Sequence, residues 1–225
     1  MTDQRLIVEA VTNSVFVGKQ YRSQYVRWGK RTFDIFFVII TLPFVLPVTL
    51  LLWALARMAG ESGFFAQDRV GKDGRVFRCW KIRSMIPNSQ EVLDRLLEQD
   101  QDLREEWARD QKLENDPRIT RLGRILRKSS LDELPQFWNV FKGEMSLVGP
   151  RPVLPEELAR YKGFSGFYTS VRPGITGLWQ VSGRNGISYD ERVRIDAHYT
   201  RTVSLAQDLR IILLTVLEVF RLQGR

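Results

Sequence analysis

Two adjacent carboxylates, Asp132 and Glu133, lie at the start of a helical apolar pattern in a chain with an excess of basic residues. The apolar positions that follow are Leu134, Phe137, Trp138 and Phe141. Their spacing predicts a helix from about Asp132 to Lys142. A helix N-terminus offers free N–H groups and positive potential, which suit a phosphate or a carboxylate nucleophile. In such a pair, one carboxylate can attack while the other binds a metal ion or transfers a proton.

The same pair also has a purely structural interpretation as a helix cap. Ser130 and Glu133 have the spacing of a capping box, and acidic residues favour the first turn of a helix. With Ser130 as the cap, Pro135 falls inside the helix, where its missing N–H matters. With Asp132 as the cap, Pro135 lies in the tolerated first turn. From spacing alone, both the capping and the catalytic interpretation stay open.

Arginines on stiff or glycine-rich backbone form a second group of candidate residues. In Gly149-Pro150-Arg151-Pro152, the first proline fixes its own φ and the second keeps Arg151 out of the helical region. A guanidinium presented in this way is a good bidentate phosphate ligand. The segment VRPGITGLWQVSGRN adds three polar side chains on glycine-rich turns, namely Arg172, Arg184 and Asn185. A plain surface loop is the competing interpretation of that segment.

The composition narrows the choice of partner and metal. The 225 residues include 34 Lys and Arg against 26 Asp and Glu, a net charge of +8. This balance predicts an anionic partner: nucleic acid, an anionic membrane surface or a phosphorylated substrate. The single cysteine, Cys79, excludes an intrachain disulfide, and the single histidine, His198, leaves too few ligands for a Cys/His zinc site. We therefore expect any metal to be a hard cation such as Mg²⁺.

An uncharged run from Ile35 to Ala56 matches the ~20 residues that span a bilayer core. Pro43 and Pro47 lie in its middle, and because each removes a helix N–H we predict a sharp kink there. Basic residues flank the run on both sides: Arg22, Arg27, Lys30, Arg31 and Arg57. Since positive charge favours the cytoplasmic side, a re-entrant hairpin in one leaflet is as natural as a crossing. A buried core helix is the remaining alternative.

The surrounding elements follow from turn residues and periodicity. FFAQDRVGKDGRVFRCWKIRSM predicts two strands around a turn at Asp73-Gly74. An amphipathic helix is predicted from about Ser89 to Lys112. A C-terminal helix is predicted to begin at a Ser204–Gln207 capping box, and the apolar side of this second helix faces either the core or the bilayer. A further helix with arginines at every third position suits a membrane interface: Arg118, Arg121, Arg124 and Arg127. Nucleic-acid binding competes with that interpretation, but we expect no nucleic-acid partner because the chain has no recognisable readout motif.

A series of motifs carries a resemblance to a known family from Lys30 to about Leu222. The motifs are KRTFD, FFAQDRVGKDGRVF, WKIRSM, DPRITRLGRILR, SLDELPQFWNVFKGEMSLVGPRP, RPGITGLWQVSGRN and DAHY. With them the chain resembles the bacterial sugar transferases, also called monotopic phosphoglycosyl transferases. It is most similar to the short form of the branch that transfers galactose phosphate or glucose phosphate for exopolysaccharide and O-antigen synthesis.

This resemblance implies a reaction and a set of site residues. A sugar 1-phosphate would pass from a UDP-sugar to undecaprenyl phosphate, with release of UMP. Asp132 would attack the β-phosphate and form a covalent phosphosugar intermediate, Asp132 and Glu133 would bind Mg²⁺, and Arg151 would bind phosphate. Lys81 matches the lysine of the family motif Y-K-F-x-T-M, although Trp80 and Ser84 depart from it. Asp196 matches the aspartate of the DAHY segment.

The resemblance also implies an α+β, mostly helical fold: a re-entrant membrane helix followed by a cytosolic domain with a small β-hairpin and interfacial amphipathic helices. We divide the chain into an N-terminal segment (1–29), the membrane helix (30–58) and a membrane-associated catalytic domain (59–225). Family helices often break at Ser-Pro, whereas here the pair is Leu46-Pro47. Leucine cannot bond the freed carbonyl, so we expect Pro43 to maintain the break.

The expected location is the cytoplasmic face of a bacterial inner membrane, with anionic lipids as further partners. The sequence is compatible with a homodimer formed through the N-terminal segment or the C-terminal helix. Two other functions stay open. A membrane-bound hydrolase of a lipid-linked diphosphate would need no acceptor lipid. A membrane-anchored scaffold or nucleic-acid-binding module would need neither carboxylate for chemistry.

Overall fold

The computed structural model describes residues 24–58, 62–110, 113–182 and 187–220. Most of the predicted N-terminal segment therefore lies outside the described residues. The described part is mostly helical, with two two-stranded sheets. Its first long element is helix α1, Lys30–Met58, which follows a π-helical turn at Tyr25–Gly29. By length and composition, the stretch from Tyr25 to Met58 could cross a membrane.

Helix α1 contains Pro43 and Pro47 within its length. Its middle is largely exposed, with Phe44 at 77% and Leu51 at 60% of their full accessibility. Its two ends are buried by the rest of the protein, at Val38 near the beginning and at Ala56 near the end. The predicted kink and the re-entrant topology stay predictions.

The predicted hairpin is confirmed. Strands β1 (Phe64–Val70) and β2 (Val76–Ile82) pair antiparallel, with Val70 opposite Val76. The turn between them holds Asp73 and Gly74 at φ of 57° and 75°. Asp and Gly tolerate this left-handed conformation better than other residues do, which is why the pair marks the turn in the sequence.

The single helix predicted from Ser89 to Lys112 is wrong, because the chain forms two helices there. They are α2 (Ser89–Gln99) and α3 (Gln101–Asp110). Asp100 between them is extended, and its carboxylate accepts hydrogen bonds from the N–H groups of Asp102 and Leu103 at 2.9 and 3.1 Å. An acceptor in this position caps a new helix, and the apolar spacing alone did not show it.

Helix α4 (Arg121–Ser129) is capped by the Thr120 hydroxyl, which accepts from the N–H of Gly123 at 2.9 Å. Arg121 and Arg124 are exposed on it, as the membrane-interface interpretation requires. The interpretation is wrong for the other two arginines. Arg118 is buried in an ion pair with Asp116, and the Nε of Arg127 donates to Ser84 at 2.9 Å.

A 3₁₀ turn at Leu131–Glu133 precedes helix α5, Gln136–Lys142. The acidic pair thus lies before the helix and not in its first turn. The chain then alternates short elements, among which β3 (Ser146–Val148) and β4 (Gly174–Thr176) form a parallel sheet that the sequence did not predict. The remaining helices are α6 (Pro155–Leu158), a 3₁₀ helix at Ala159–Phe164, α7 (Ser165–Thr169), α8 (Leu178–Val181), α9 (Tyr189–Thr202) and α10 (Leu205–Phe220).

Helix α10 starts at the predicted cap, where the Ser204 hydroxyl accepts from the N–H of Gln207 at 3.3 Å. Both interpretations of its apolar side hold in part. Ile211 is buried in the core, whereas Leu209 and Leu213 are 50% and 63% exposed. The core around Ile211 also contains residues from α1, the hairpin, α5 and β3, namely Val38, Phe77, Val140 and Leu147.

Candidate active site

The hairpin places the predicted site residue Lys81 on one face together with two other side chains. Residues opposite each other in an antiparallel pair share a face, and the side chains alternate along each strand. Gln67 lies opposite Cys79, so Arg69 on β1 and Cys79 and Lys81 on β2 all project to the same side. These three side chains line an open cleft.

The acidic pair faces that side of the hairpin. The Nζ atom of Lys81 lies 2.7 Å from the Oε1 atom of Glu133 and 3.8 Å from the Oδ2 atom of Asp132. Asp132 is 6% exposed. The side chain of Ser130 forms no capping bond to the described residues after it. The capping-box interpretation of Ser130 and Glu133 is therefore wrong, and the Glu133 carboxylate pairs with a lysine instead.

A buried asparagine fixes the distance between helix α5 and strand β2. The Nδ2 atom of Asn139 donates to the carbonyl of Arg78 at 2.7 Å, and its Oδ1 atom accepts from the N–H of Trp80 at 3.1 Å. Asn139 is fully buried, so both bonds form away from water. They hold the strand on the N-terminal side of Lys81 against the helix that follows the acidic pair.

Arg151 reaches the cleft because the backbone before it packs closely on strand β4. The N–H of Gly149 donates to the carbonyl of Thr176 at 2.9 Å, and the N–H of Gly174 donates to that of Pro150 at 2.8 Å. A Cβ atom on Gly149 would lie 2.5 Å from the carbonyl oxygen of Arg172. Only glycine permits this approach, which explains the glycine before the proline-flanked arginine.

The cleft is open to solvent and mostly basic. Its lining residues are Arg69, Cys79, Lys81, Glu133, Gln136, Arg151, Pro152, Ile175 and Gln180. Three of them are cations and one is an anion. A concave site with guanidinium and ammonium groups around Glu133, next to the buried Asp132, suits a phosphorylated ligand and a nucleophile that attacks it.

The two carboxylates differ in their surroundings. Burial raises the pKa of the Asp132 carboxyl above its usual range, and Glu133 adds to the rise, although Lys81 and Arg127 oppose it. Burial acts in the same direction on Glu133, but Lys81 and Arg151 outweigh it, so the pKa of Glu133 is lowered. Two carboxylates with opposite shifts are suited to different roles in one reaction.

The donor set also fits Mg²⁺. Within the described residues, no group of three or more His, Cys, Asp or Glu side chains converges on one point. Mg²⁺ is commonly bound by one or two carboxylates together with water and substrate phosphates. Asp132 and Glu133 provide two adjacent carboxylates, and their joint attraction of the Lys81 ammonium shows that both can face one cation.

Two other predicted site residues, Arg172 and Asp196, are not among those that line the cleft. The Nε atom of Arg172 donates to the carbonyl of Gly143 at 2.7 Å, at the end of α5. Asp196 is 2% exposed and accepts from the hydroxyl of Tyr161 at 2.8 Å. Burial raises its pKa to about 6, with Arg192 and Tyr161 opposing the rise. Arg184 and Asn185 lie outside the described residues.

Several residues in or near the cleft were not predicted from the sequence to belong to the site. Gln136 and Gln180 line it, Arg127 acts electrostatically on Asp132, and Arg69 lies beside Arg151. The sequence could have indicated Arg69, because strand alternation places it on the same face of the hairpin as Lys81. Gln136 and Gln180 had none, since polar residues next to a helix start or a turn usually face solvent.

The family model described as bacterial sugar transferase matches residues 25–222. The undecaprenyl-phosphate galactose phosphotransferase of Salmonella typhimurium is 49% identical over 198 residues, which are 88% of this chain and 42% of that protein. The exopolysaccharide production protein ExoY of Rhizobium meliloti is 46% identical over 189 residues, which are 84% of both chains.

A more distant relative has a glucose-related name. The UDP-glucose:undecaprenyl-phosphate glucose-1-phosphate transferase of Klebsiella pneumoniae is 36% identical over 202 residues, 85% of this chain and 40% of that protein. The chain therefore spans less than half the length of the Salmonella and Klebsiella relatives and most of the length of ExoY. Because the family model covers nearly the whole chain, this protein belongs to the bacterial sugar transferase family.

Proposed function

We propose that this protein transfers a hexose 1-phosphate, galactose or glucose, from a UDP-sugar to undecaprenyl phosphate and releases UMP. This would be the first step of exopolysaccharide or O-antigen assembly. One observation carries the proposal: the buried Asp132 lies 3.8 Å from Lys81 and next to Glu133, and both Lys81 and Glu133 line a cleft together with two arginines. The names of the Salmonella, Rhizobium and Klebsiella relatives support the substrate class.

The reaction proceeds in two displacements at phosphorus. An oxygen of the Asp132 carboxylate attacks the phosphorus that carries the sugar. The bond from that phosphorus to the bridging oxygen breaks, and UMP leaves with the electron pair. An oxygen of undecaprenyl phosphate then attacks the same phosphorus, and the Asp132 carboxylate leaves. Covalent catalysis of this kind divides one difficult transfer into two easier steps.

The neighbouring groups have distinct tasks. Arg151 holds phosphate oxygens by its planar pair of donors. Lys81, 2.7 Å from Glu133, keeps that carboxylate ionised and brings positive charge to within 3.8 Å of Asp132. When Mg²⁺ is bound, Asp132 and Glu133 would hold it, and it would neutralise charge on the diphosphate.

Helix α1 supports a re-entrant arrangement at the cytoplasmic face of the inner membrane. Val38, near its beginning, packs in the core that contains β2, β3 and α10. Leu52 and Ala56, near its end, pack with Ile82 and Leu126 of the same globular body. A helix that crossed the bilayer would have its ends on opposite sides. Contacts of both ends with one body favour a helix that enters and leaves on one side.

This topology has a direct labelling test. The one native cysteine, Cys79, is buried, so single cysteines introduced by Ser14→Cys and Ser62→Cys can be compared in whole cells and in opened spheroplasts. We expect a membrane-impermeant maleimide to label both positions only after the cells are opened. Labelling of Ser14→Cys in whole cells would show that helix α1 crosses the membrane.

The reaction is tested by UMP release from UDP-galactose and UDP-glucose with Mg²⁺, with and without undecaprenyl phosphate, together with intact-protein mass analysis. We expect repeated turnover with UMP release only when the acceptor is present. Without it, we expect one UMP per enzyme together with a hexose-phosphate mass increment. Asp132→Asn should abolish both. The matched control is Asp68→Asn, which removes an exposed carboxylate from strand β1.

Two outcomes would contradict the proposal. Sugar phosphate released into water without any acceptor would identify a hydrolase of diphosphates. Unchanged UMP release by Asp132→Asn would exclude the covalent route through this carboxylate.

A further inference from the structure

Arg69 is a cleft residue that the proposed reaction does not yet use. Its side chain is 16% exposed. Its Nη1 atom donates to the carbonyl of Pro152 at 3.1 Å and lies 3.4 Å from the Glu157 carboxylate, and its Nη2 atom donates to Gln67 at 2.8 Å. A guanidinium has five N–H donors, so these contacts with the described residues leave two for a ligand.

Backbone hydrogen bonds join the segment that carries Arg69 to the segment that carries Arg151. The N–H of Val70 donates to the carbonyl of Val153 at 3.0 Å. The hydroxyl of Tyr168 donates to the carbonyl of Val70 at 2.6 Å and accepts from the N–H of Val153 at 3.1 Å. Tyr168 is 2% exposed, so this connection is shielded from water. The two arginines are thus held next to each other by the fold.

Two guanidinium groups held together repel each other unless an anion lies between them. Burial lowers the pKa of Arg69, and Arg151 lowers it further, while Glu157 offsets part of the effect. Glu157 follows Arg151 by six residues, on helix α6, and its carboxylate also accepts a hydrogen bond from the N–H of Leu154 at 2.7 Å. Glu157 contacts Arg69, and Glu133 is the one carboxylate among the lining residues, against Arg69, Lys81 and Arg151. The cleft therefore has an excess of positive charge that an anionic ligand would neutralise.

We propose that Arg69 is a second phosphate-binding residue, and that Arg69 and Arg151 together form a clamp for a diphosphate. The identification of that diphosphate as the UDP-sugar rests on the proposed function. The clamp itself requires only two linked phosphates, because one guanidinium can bind each. Lys81 lies on the same hairpin face as Arg69, so the clamped diphosphate would lie beside the carboxylate pair.

The test compares ligands with one and two phosphates. We would measure the Kd of UDP, UMP and inorganic pyrophosphate by calorimetry, with Mg²⁺, for the full chain in lipid nanodiscs. Since a hydrogen bond to a charged group contributes enough for roughly a 10- to 150-fold change in affinity, Arg69→Gln should weaken UDP and pyrophosphate binding by about that factor. UMP binding should change less than about threefold. Arg69→Lys keeps the charge but loses the planar set of donors. Its affinity for UDP and pyrophosphate should lie between those of the unchanged protein and of Arg69→Gln.

The matched control is Arg78→Gln on the neighbouring strand. Arg78 projects to the opposite, exposed face of the hairpin, so this variant removes the same charge without touching the cleft. It should bind all three ligands as the unchanged protein does. A melting temperature measured for each variant separates loss of binding from loss of folding.

Two results would overturn the clamp. One is an equal effect of Arg69→Gln on UDP and UMP, whether large or absent, which would make Arg69 a structural residue. The other is failure of the unchanged protein to bind either UDP or pyrophosphate. If diphosphate binding depends on Arg69 but no UDP-sugar releases UMP, the clamp stands and the proposed transfer falls.

Discussion

Asp208 on helix α10 connects the start of helix α1 to the C-terminal part of the protein. It is fully buried and accepts hydrogen bonds from Lys30 Nζ at 2.6 Å and from the hydroxyls of Tyr25 and Tyr199, both at 2.7 Å. Lys30 is the first residue of α1. The substitution Asp208→Asn keeps the shape but only one of the two acceptor oxygens, and Tyr25 and Tyr199 donate to different ones. It also removes the negative charge, which leaves the Lys30 ammonium without the carboxylate that it contacts.

The expected loss is large for a single substitution. Removing one partner of a buried ion pair costs about 3–5 kcal/mol. For a chain of this size, 1 kcal/mol corresponds to about 2–4 °C in Tm. Asp208→Asn should therefore lower Tm by roughly 6–20 °C. The double variant Lys30→Met/Asp208→Asn removes both charges of the pair, and the nearby Asp34 keeps its hydrogen bonds from Ser146 and Leu147. It should therefore be more stable than Asp208→Asn alone.

The assay is thermal unfolding in lipid nanodiscs, followed by tryptophan fluorescence at one fixed scan rate because membrane proteins often unfold irreversibly. The matched control is Asp190→Asn, which breaks an exposed pair with Lys162 and should change stability by less than about 1 kcal/mol. The reasoning is refuted if Asp208→Asn lowers Tm no more than Asp190→Asn does. It is also refuted if the double variant is no more stable than the single one.

Three further predictions concern other sites. Gly123→Ala should destabilise the protein by about 1–3 kcal/mol, because the new Cβ would lie 2.0 Å from the carbonyl oxygen of Ser84. Gly166→Ala is the control, since its new Cβ would meet nothing within 4 Å. A comparison of the melting temperatures of the two variants tests this. The raised pKa of Asp196, about 6 against the usual 3.8, means that its protonated form stabilises the fold at low pH. That stabilisation amounts to ~3 kcal/mol at most, at about 1.4 kcal/mol per pKa unit, and it should be lost as pH rises through about 6. Urea unfolding at several pH values should show this loss of stability. The stability of Asp196→Asn should not have this pH dependence. Lys81→Met should move the acid limb of the pH–rate profile to higher pH, because Lys81 lowers the pKa of both Asp132 and Glu133; an unchanged limb would show that neither carboxylate controls the rate.

Elements that depend on neighbouring residues were predictable from the sequence. The uncharged run predicted α1, and Asp73-Gly74 between two alternating segments predicted the hairpin. Both follow from local rules, the helical period and the turn preference of Asp-Gly. The motif series led to the family, and with it to Asp132, Glu133, Lys81 and Arg151, of which Lys81, Glu133 and Arg151 line the same cleft.

Predictions failed where one pattern allowed two local structures. The apolar spacing from Ser89 to Lys112 continues across Asp100, yet the carboxylate of Asp100 starts a second helix. The arginines around α4 have a regular spacing, yet Arg118 pairs with Asp116 and Arg127 turns to Ser84. In each case a side-chain hydrogen bond decided between alternatives that periodicity treats as equal.

The sequence by itself determined the membrane-type helix, the hairpin, the family and the identity of the acidic pair. Only the tertiary structure decided what that pair does locally, because the partner of Glu133 is Lys81, 52 residues earlier in the chain. The same holds for Arg69 and Arg151, which Val70, Val153 and Tyr168 bring together. Helix caps and turns depend on residues within a few positions, whereas the charge around a buried carboxylate depends on every segment that packs against it.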